Sequence, residues 1–232
     1  MNYKKNSKEF TPKEKEIISI IMSMVDYDLP FQKRPSENIE KYNLRWCPAM
    51  IEENDDTYGC WSFTDQERVY VRPEESQQTI QKFPELKNKI GNKIRSIDVI
   101  LKYFPDGEKK EEIAFAMYAI ENSGHLIRTC LHEMWHKEQF GKSKLGYILS
   151  CIATNLFGYE RSLSKKWSIE YDVREKVDNE KLRERLYSIE TECRSAISYL
   201  NFLYKPGVSD EEKADLSDKL DGMTIARRVF GI

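Results

Sequence analysis

Apolar positions near the start of the chain follow the spacing of one helix face. This stripe consists of Ile17, Ile18, Ile21, Met22 and Val25. It follows Thr11-Pro12-Lys13-Glu14, which combines a capping box with proline at the first helical position. The pattern predicts a helix of about four turns that ends at Asp28-Leu29-Pro30.

Three short runs after this helix predict strands, because they are β-prone and bounded by turn residues. They span residues 46–52, 58–63 and 67–72. Turns are expected at Asp55-Asp56 and Gly59, and Pro73 ends the last run.

The middle of the chain alternates between helix-like and strand-like patterns. Residues 77–90 have helical spacing interrupted by Pro84, and residues 97–104 form an apolar, strand-like run. Residues 113–120 are apolar throughout. They predict either a strand whose edge an extended substrate can join, or a buried strand or helix start without that role.

The pattern in the second half of the chain predicts helices. Residues 125–140 predict a largely buried helix, with an N-cap at Asn122-Ser123 and a stop at Gly141. Further helices are expected at 145–157, at 169–204 as one or two helices, and at 210–220. Strands followed by helices predict an α+β fold, and we expect one domain over residues 1–232 with a helical part from about residue 143.

Composition excludes several classes of protein. The formal charge of −2 gives no reason to expect nucleic-acid binding. The first ten residues lack the apolar core of a signal peptide, and the longest apolar stretch is too short for a bilayer, so we expect no membrane association. Five scattered cysteines without a CxxC pair favour reduced thiols in the cytoplasm.

One motif carries most of the chemical information. His132-Glu133-Met134-Trp135-His136 is an HExxH sequence that holds two of the three histidines in the chain. On a helix its imidazoles lie about one turn apart on the same face, where both can bind one Zn²⁺, and Glu133 can act as the general base. Because histidine is so scarce, this composition produces the motif by chance in roughly one chain in several hundred.

A catalytic zinc site usually has three protein ligands and an open position for water. No histidine follows His136, which removes the metzincin pattern and disfavours SprT-like proteases, whose third ligand is a later histidine. The third ligand, if zinc binds, must therefore be a carboxylate.

The motif, followed some thirty residues later by Glu170-Tyr171-Asp172-Val173-Arg174, resembles the ImmA/IrrE-like branch of the gluzincin metallopeptidases. In that family the second motif reads E-x-x-A-N, and Val173 and Arg174 stand at its last two positions here. The resemblance covers roughly residues 59–179. It implies a zincin-like fold with a small sheet packed on the HExxH helix, Glu170 as the third zinc ligand, and a narrow regulatory cleavage.

The alternative carboxylates for the third ligand are Glu175, Asp172 and Glu160. Asp172 or a neighbouring carboxylate can instead orient a liganding histidine.

An amide hydrolase also needs a donor for the oxyanion that forms as water attacks the carbonyl. The chemically able candidates are His125, Tyr159, Tyr171 and Arg174. For His125 a helix cap or surface position is the simpler interpretation, and Trp135 and Trp167 are expected to pack rather than react.

The sequence thus predicts a cytoplasmic zinc metalloendopeptidase that acts on a protein or peptide. His132, His136 and Glu170 would bind the metal and Glu133 would activate water. Two other hypotheses stay open: a zincin-like binding or regulatory protein without turnover, and an accidental motif in a helical interaction protein.

Overall fold

The structure is a computed structural model that describes residues 7–46, 59–62, 68–71, 123–157, 168–203, 207 and 209–211. This part of the chain is mixed α+β, as predicted, and mostly helical. The strands are β1 (Lys8–Glu9), β2 (Leu44–Trp46), β3 (Gly59–Ser62) and β4 (Arg68–Val71). The α-helices are α1 (Pro12–Met22), α2 (Ser123–Lys142), α3 (Lys144–Phe157), α4 (Ile169–Lys176) and α5 (Glu180–Leu203).

Helix α1 begins as the sequence predicts. The Thr11 hydroxyl accepts a hydrogen bond from the Glu14 N–H, and the Glu14 carboxylate accepts one from the Thr11 N–H. The helix ends earlier than expected, at Met22, because the next residues form tighter bonds: Met24 N–H donates to the carbonyl of Ile21, three residues back. Short 3-10 helices follow at Asp26–Asp28 and Ser36–Tyr42.

The strands form one sheet in the order β1-β2-β4-β3. Strand β2 is parallel to β4, whereas β1 and β3 pair antiparallel to their neighbours. Asn43, with φ 53°, turns the chain from the second 3-10 helix into β2. Two predicted strands are confirmed as β3 and β4, but β2 lies two residues earlier than the predicted run at 46–52, which from residue 47 lies outside the described residues.

Helix α2 packs on the sheet and on α1, α3, α4 and α5, so it is the central element of the described fold. Its buried apolar face is the one that the sequence predicts: Leu126, Ile127, Cys130, Leu131 and Met134. Gly141 does not end this helix, contrary to the prediction. The Ser143 N–H still bonds the Gln139 carbonyl, and the Ser143 hydroxyl then accepts the Gly146 N–H at the start of α3.

Helices α3, α4 and α5 confirm the helices predicted at 145–157 and 169–204. The latter run divides in two because Asn179 accepts the Leu182 N–H through its side chain and begins α5. Of the helices that the structure describes, none combines the length and the apolar character that crossing a membrane requires. The predicted elements at 77–90, 97–104 and 113–120, and most of 210–220, lie outside the described residues.

Candidate metal centre

The two motif histidines lie on one face of α2, one turn apart. Their ring centroids are 5.0 Å apart and the rings are nearly perpendicular, at 75°. His136 is buried and His132 is half-buried. The apolar face of the same helix is fixed in the core, so the opposite face holds both imidazoles towards α4.

Glu170 reaches both histidines from the first turn of α4. Its Oε1 lies 3.1 Å from His136 Nε2, and its Oε2 lies 3.4 Å from His132 Nε2. The Ser168 hydroxyl accepts the Tyr171 N–H and begins α4, and the Ile169 N–H bonds the Ser150 hydroxyl of α3. These bonds fix the first turn of α4, which carries Glu170, against α3.

The donor set fits a divalent transition metal. One ligand atom from each of His132, His136 and Glu170 can be chosen so that all three lie within 4.8 Å of one another. Two imidazole nitrogens and one carboxylate oxygen are ligands that suit zinc in a catalytic site. The site is only partly closed, since the Glu170 side chain is 28% exposed.

The Nδ1 atom of each histidine, on the side of the ring away from Glu170, faces a side-chain oxygen. His136 Nδ1 lies 2.8 Å from Gln139 Oε1, a hydrogen-bond distance. His132 Nδ1 lies 3.7 Å from Asp178 Oδ2, which is longer than a hydrogen bond but within ion-pair range. With both Nδ1 atoms facing oxygens, both Nε2 atoms are left to face Glu170.

The charges of the site compensate one another. Burial lowers the pKa of His132, but the carboxylates of Asp178, Glu170 and Glu133 raise it to about 10. Burial raises the pKa of Glu170, but the two histidines hold it well below its usual range. Burial likewise raises the pKa of Asp178, whereas His132 and Arg183 lower it to about 2. Glu170 is therefore ionised near neutral pH, the form in which a carboxylate binds a metal.

Glu133 lies between the sheet and the histidines. Its carboxylate accepts the backbone N–H of Trp61 in β3, and the residue is only 7% exposed. Burial raises the pKa of this carboxyl group, and the neighbouring histidines partly oppose the rise. A buried carboxylate beside the imidazoles, with a raised pKa, is suited to accept a proton.

The alternative carboxylates lie elsewhere. Asp172 Oδ2 accepts the Trp135 indole N–H at 2.7 Å and the Gln139 amide at 2.8 Å, so it orients a histidine only through Gln139. Glu175 is exposed and pairs with Lys176 at 3.1 Å. Glu160 lies outside the described residues.

The structure describes three of the four candidate oxyanion donors. His125 lies in the first turn of α2, and Tyr171 and Arg174 are exposed on α4. Tyr159 lies outside the described residues, as does Trp167. Trp135 packs in the core, 2% exposed, as expected.

The sequence assigns no role in the site to three residues, and one of them, Gly59, is the first residue of β3 rather than the turn residue that was predicted. Gln139 lies three residues after His136 on the same helix, a spacing at which side chains meet, so this contact was accessible to pattern reasoning. Asp178 follows α4 and meets His132, whereas Gly59 begins β3 and lies against Glu133. Both reach α2 only through tertiary packing, so no local signal marks them.

Comparison with known proteins assigns neither a family nor a function to this chain. No family model, no curated protein and no solved structure matches this chain. The functional interpretation depends on the geometry of the site and on the motif.

Proposed function

We propose that the chain is a zinc-dependent metallopeptidase that hydrolyses a peptide bond in a protein or peptide. The observation that carries this proposal is the position of Glu170, whose two carboxylate oxygens face the Nε2 atoms of His132 and His136 at 3.4 and 3.1 Å. This carboxylate comes from a separate helix and meets both histidines of the HExxH motif. If the motif were accidental, there would be no reason for such a meeting.

His132, His136 and Glu170 would hold the metal. When bound, zinc supplies Lewis-acid chemistry that polarises a carbonyl and makes water acidic enough to attack near neutral pH. Glu133 takes the proton from the attacking water on its carboxylate and returns it to the nitrogen of the departing amine. The Trp61 N–H, which bonds that carboxylate, orients it for both transfers.

The arrangement of elements supports a zincin-like fold for this proposal. A small sheet packs against the helix that carries the motif, and the third candidate ligand comes from a later helix. The same order of motif and glutamate underlies the resemblance to the ImmA/IrrE-like gluzincins. From that resemblance we infer that the substrate is a protein that is cleaved at few positions.

Metal analysis of the purified chain tests the proposal. After removal of metal and dialysis against Zn²⁺, we expect one zinc per chain by elemental analysis and a rise in melting temperature that a chelator reverses. A chain that takes up no stoichiometric zinc under these conditions contradicts the proposal. One zinc per chain, without cleavage of any peptide by the loaded protein, would favour the binding protein without turnover.

A further inference from the structure

Gln139 joins the two halves of the candidate metal centre. Its Oε1 lies 2.8 Å from His136 Nδ1 on α2. Its Nε2 lies 2.8 Å from Asp172 Oδ2 and 2.8 Å from the Ile169 carbonyl, both on α4. Ile169 and Asp172 lie one residue before and two residues after Glu170 on that helix. One amide group therefore connects His136 to the helix that brings the third candidate ligand.

The partners of the amide fix its orientation. A backbone carbonyl only accepts hydrogen bonds, and the Asp172 oxygen already accepts the Trp135 indole N–H. The end of Gln139 that faces them must therefore be the NH₂ group, because an oxygen there would meet two acceptors. The amide oxygen must then face His136.

The orientation of the amide in turn fixes the proton on His136. An amide oxygen cannot donate, so His136 Nδ1 must carry the hydrogen of this 2.8 Å contact. In the neutral imidazole, the form that binds a metal, the lone pair then lies on Nε2, the nitrogen on the side of Glu170. His132 differs, since its Nδ1 faces a carboxylate, Asp178, at the longer distance of 3.7 Å.

We propose that Gln139 is a positioning residue: it holds His136 as the tautomer that binds metal through Nε2 and ties that ring to α4. This inference deepens the proposed zinc site and rests on it. The role is specific to this chain's Gln139, Asp172 and Ile169 carbonyl, which together leave the amide a single orientation.

Zinc affinity of Gln139→Met tests this role, because methionine fills similar space without a hydrogen bond. We expect an affinity about 10- to 100-fold weaker than in the unmodified chain, measured by competition with a chelator. Lys137→Met is the matched control on the same helix, since the Lys137 ammonium bonds the Lys41 carbonyl instead.

Histidine nitrogen NMR of the zinc-loaded, unmodified chain tests the proton assignment without any variant. We expect the His136 proton on Nδ1 and the metal on Nε2. Metal on His136 Nδ1 would overturn the inference, as would equal zinc affinity for Gln139→Met and the unmodified chain. If Gln139→Met does not fold, as judged by circular dichroism of the metal-free protein, the NMR result decides alone.

These outcomes differ from failure of the proposed function. If the unmodified chain binds no zinc, the metallopeptidase proposal fails, and the Gln139 inference fails with it. If the unmodified chain binds zinc and Gln139→Met binds it equally well, only the positioning role is refuted.

Discussion

Gly59 of β3 lies directly against the side chain of Glu133 on α2. A Cβ atom at residue 59 would come within 2.7 Å of Glu133 Cγ and 2.9 Å of Glu133 Oε1, and within 2.7 Å of Thr129 Cγ2. Two residues along the strand, the Trp61 N–H bonds the same carboxylate. The absence of a side chain at residue 59 therefore lets the strand approach closely enough to hold the proposed base.

Gly59→Ala should destabilise the fold and displace Glu133. The added methyl group overlaps two side chains of α2, a kind of overpacking that costs about 1–3 kcal/mol. Urea denaturation measures the loss. Gly141→Ala is the control, because a Cβ there meets nothing within 4 Å and alanine favours a helix interior. That variant should be slightly more stable, and an equal loss in both variants would contradict the close contact as the cause.

Glu133→Gln should keep zinc bound and lose cleavage. Glutamine has nearly the same shape but cannot take a proton from water, and general-base catalysis contributes a factor of about 10² to 10⁴. Mass spectrometry of a peptide mixture incubated with the zinc-loaded protein measures cleavage. Zinc content measured in parallel separates loss of the base from loss of the site. Unchanged cleavage by this variant would exclude Glu133 as the base.

Glu170→Gln should weaken zinc binding strongly. The change removes the negative charge from the carboxylate that, among the described residues, faces both imidazoles, whereas the histidines stay in place. The loss should exceed the roughly 100-fold that a residue orienting a ligand can cost. Glu175→Gln on the same helix is the control, since Glu175 is exposed and pairs with Lys176. Equal affinities of the two variants would rule out Glu170 as the third ligand.

Thr11→Ala should lower stability without touching the metal centre. The Thr11 hydroxyl accepts the Glu14 N–H at the start of α1, and losing such a cap costs about 0.5–2 kcal/mol. Thr191→Ala, at an exposed position inside α5, should not lower stability, because alanine is the better helix former. Thermal unfolding of the metal-free chains measures both changes. A stability loss with Thr191→Ala as large as with Thr11→Ala would argue against the cap.

Local patterns anticipated much of the secondary structure. The capping box of α1, strands β3 and β4, the buried face of α2 and the helices after it follow from spacing and capping residues close in the sequence. Two helix ends were predicted wrongly, and β2 begins two residues before the predicted run. Helix α1 ends at Met22 and α2 continues through Gly141, because i→i+3 bonds and the proximity of Ser143 to α3 decide where those helices end.

The sequence alone determined which groups of the motif lie close enough to act together: two histidines one turn apart and a glutamate beside the first. It determined them because a helix fixes the geometry of residues three or four positions apart. Only the tertiary structure decided that Glu170, rather than Asp172 or Glu175, faces both imidazoles, and that Gln139, Asp178 and Gly59 hold the site. Apart from the contact between Gln139 and His136 within α2, these contacts join separate helices and a strand. Their geometry depends on how α2, α4 and the sheet pack, which no local spacing encodes.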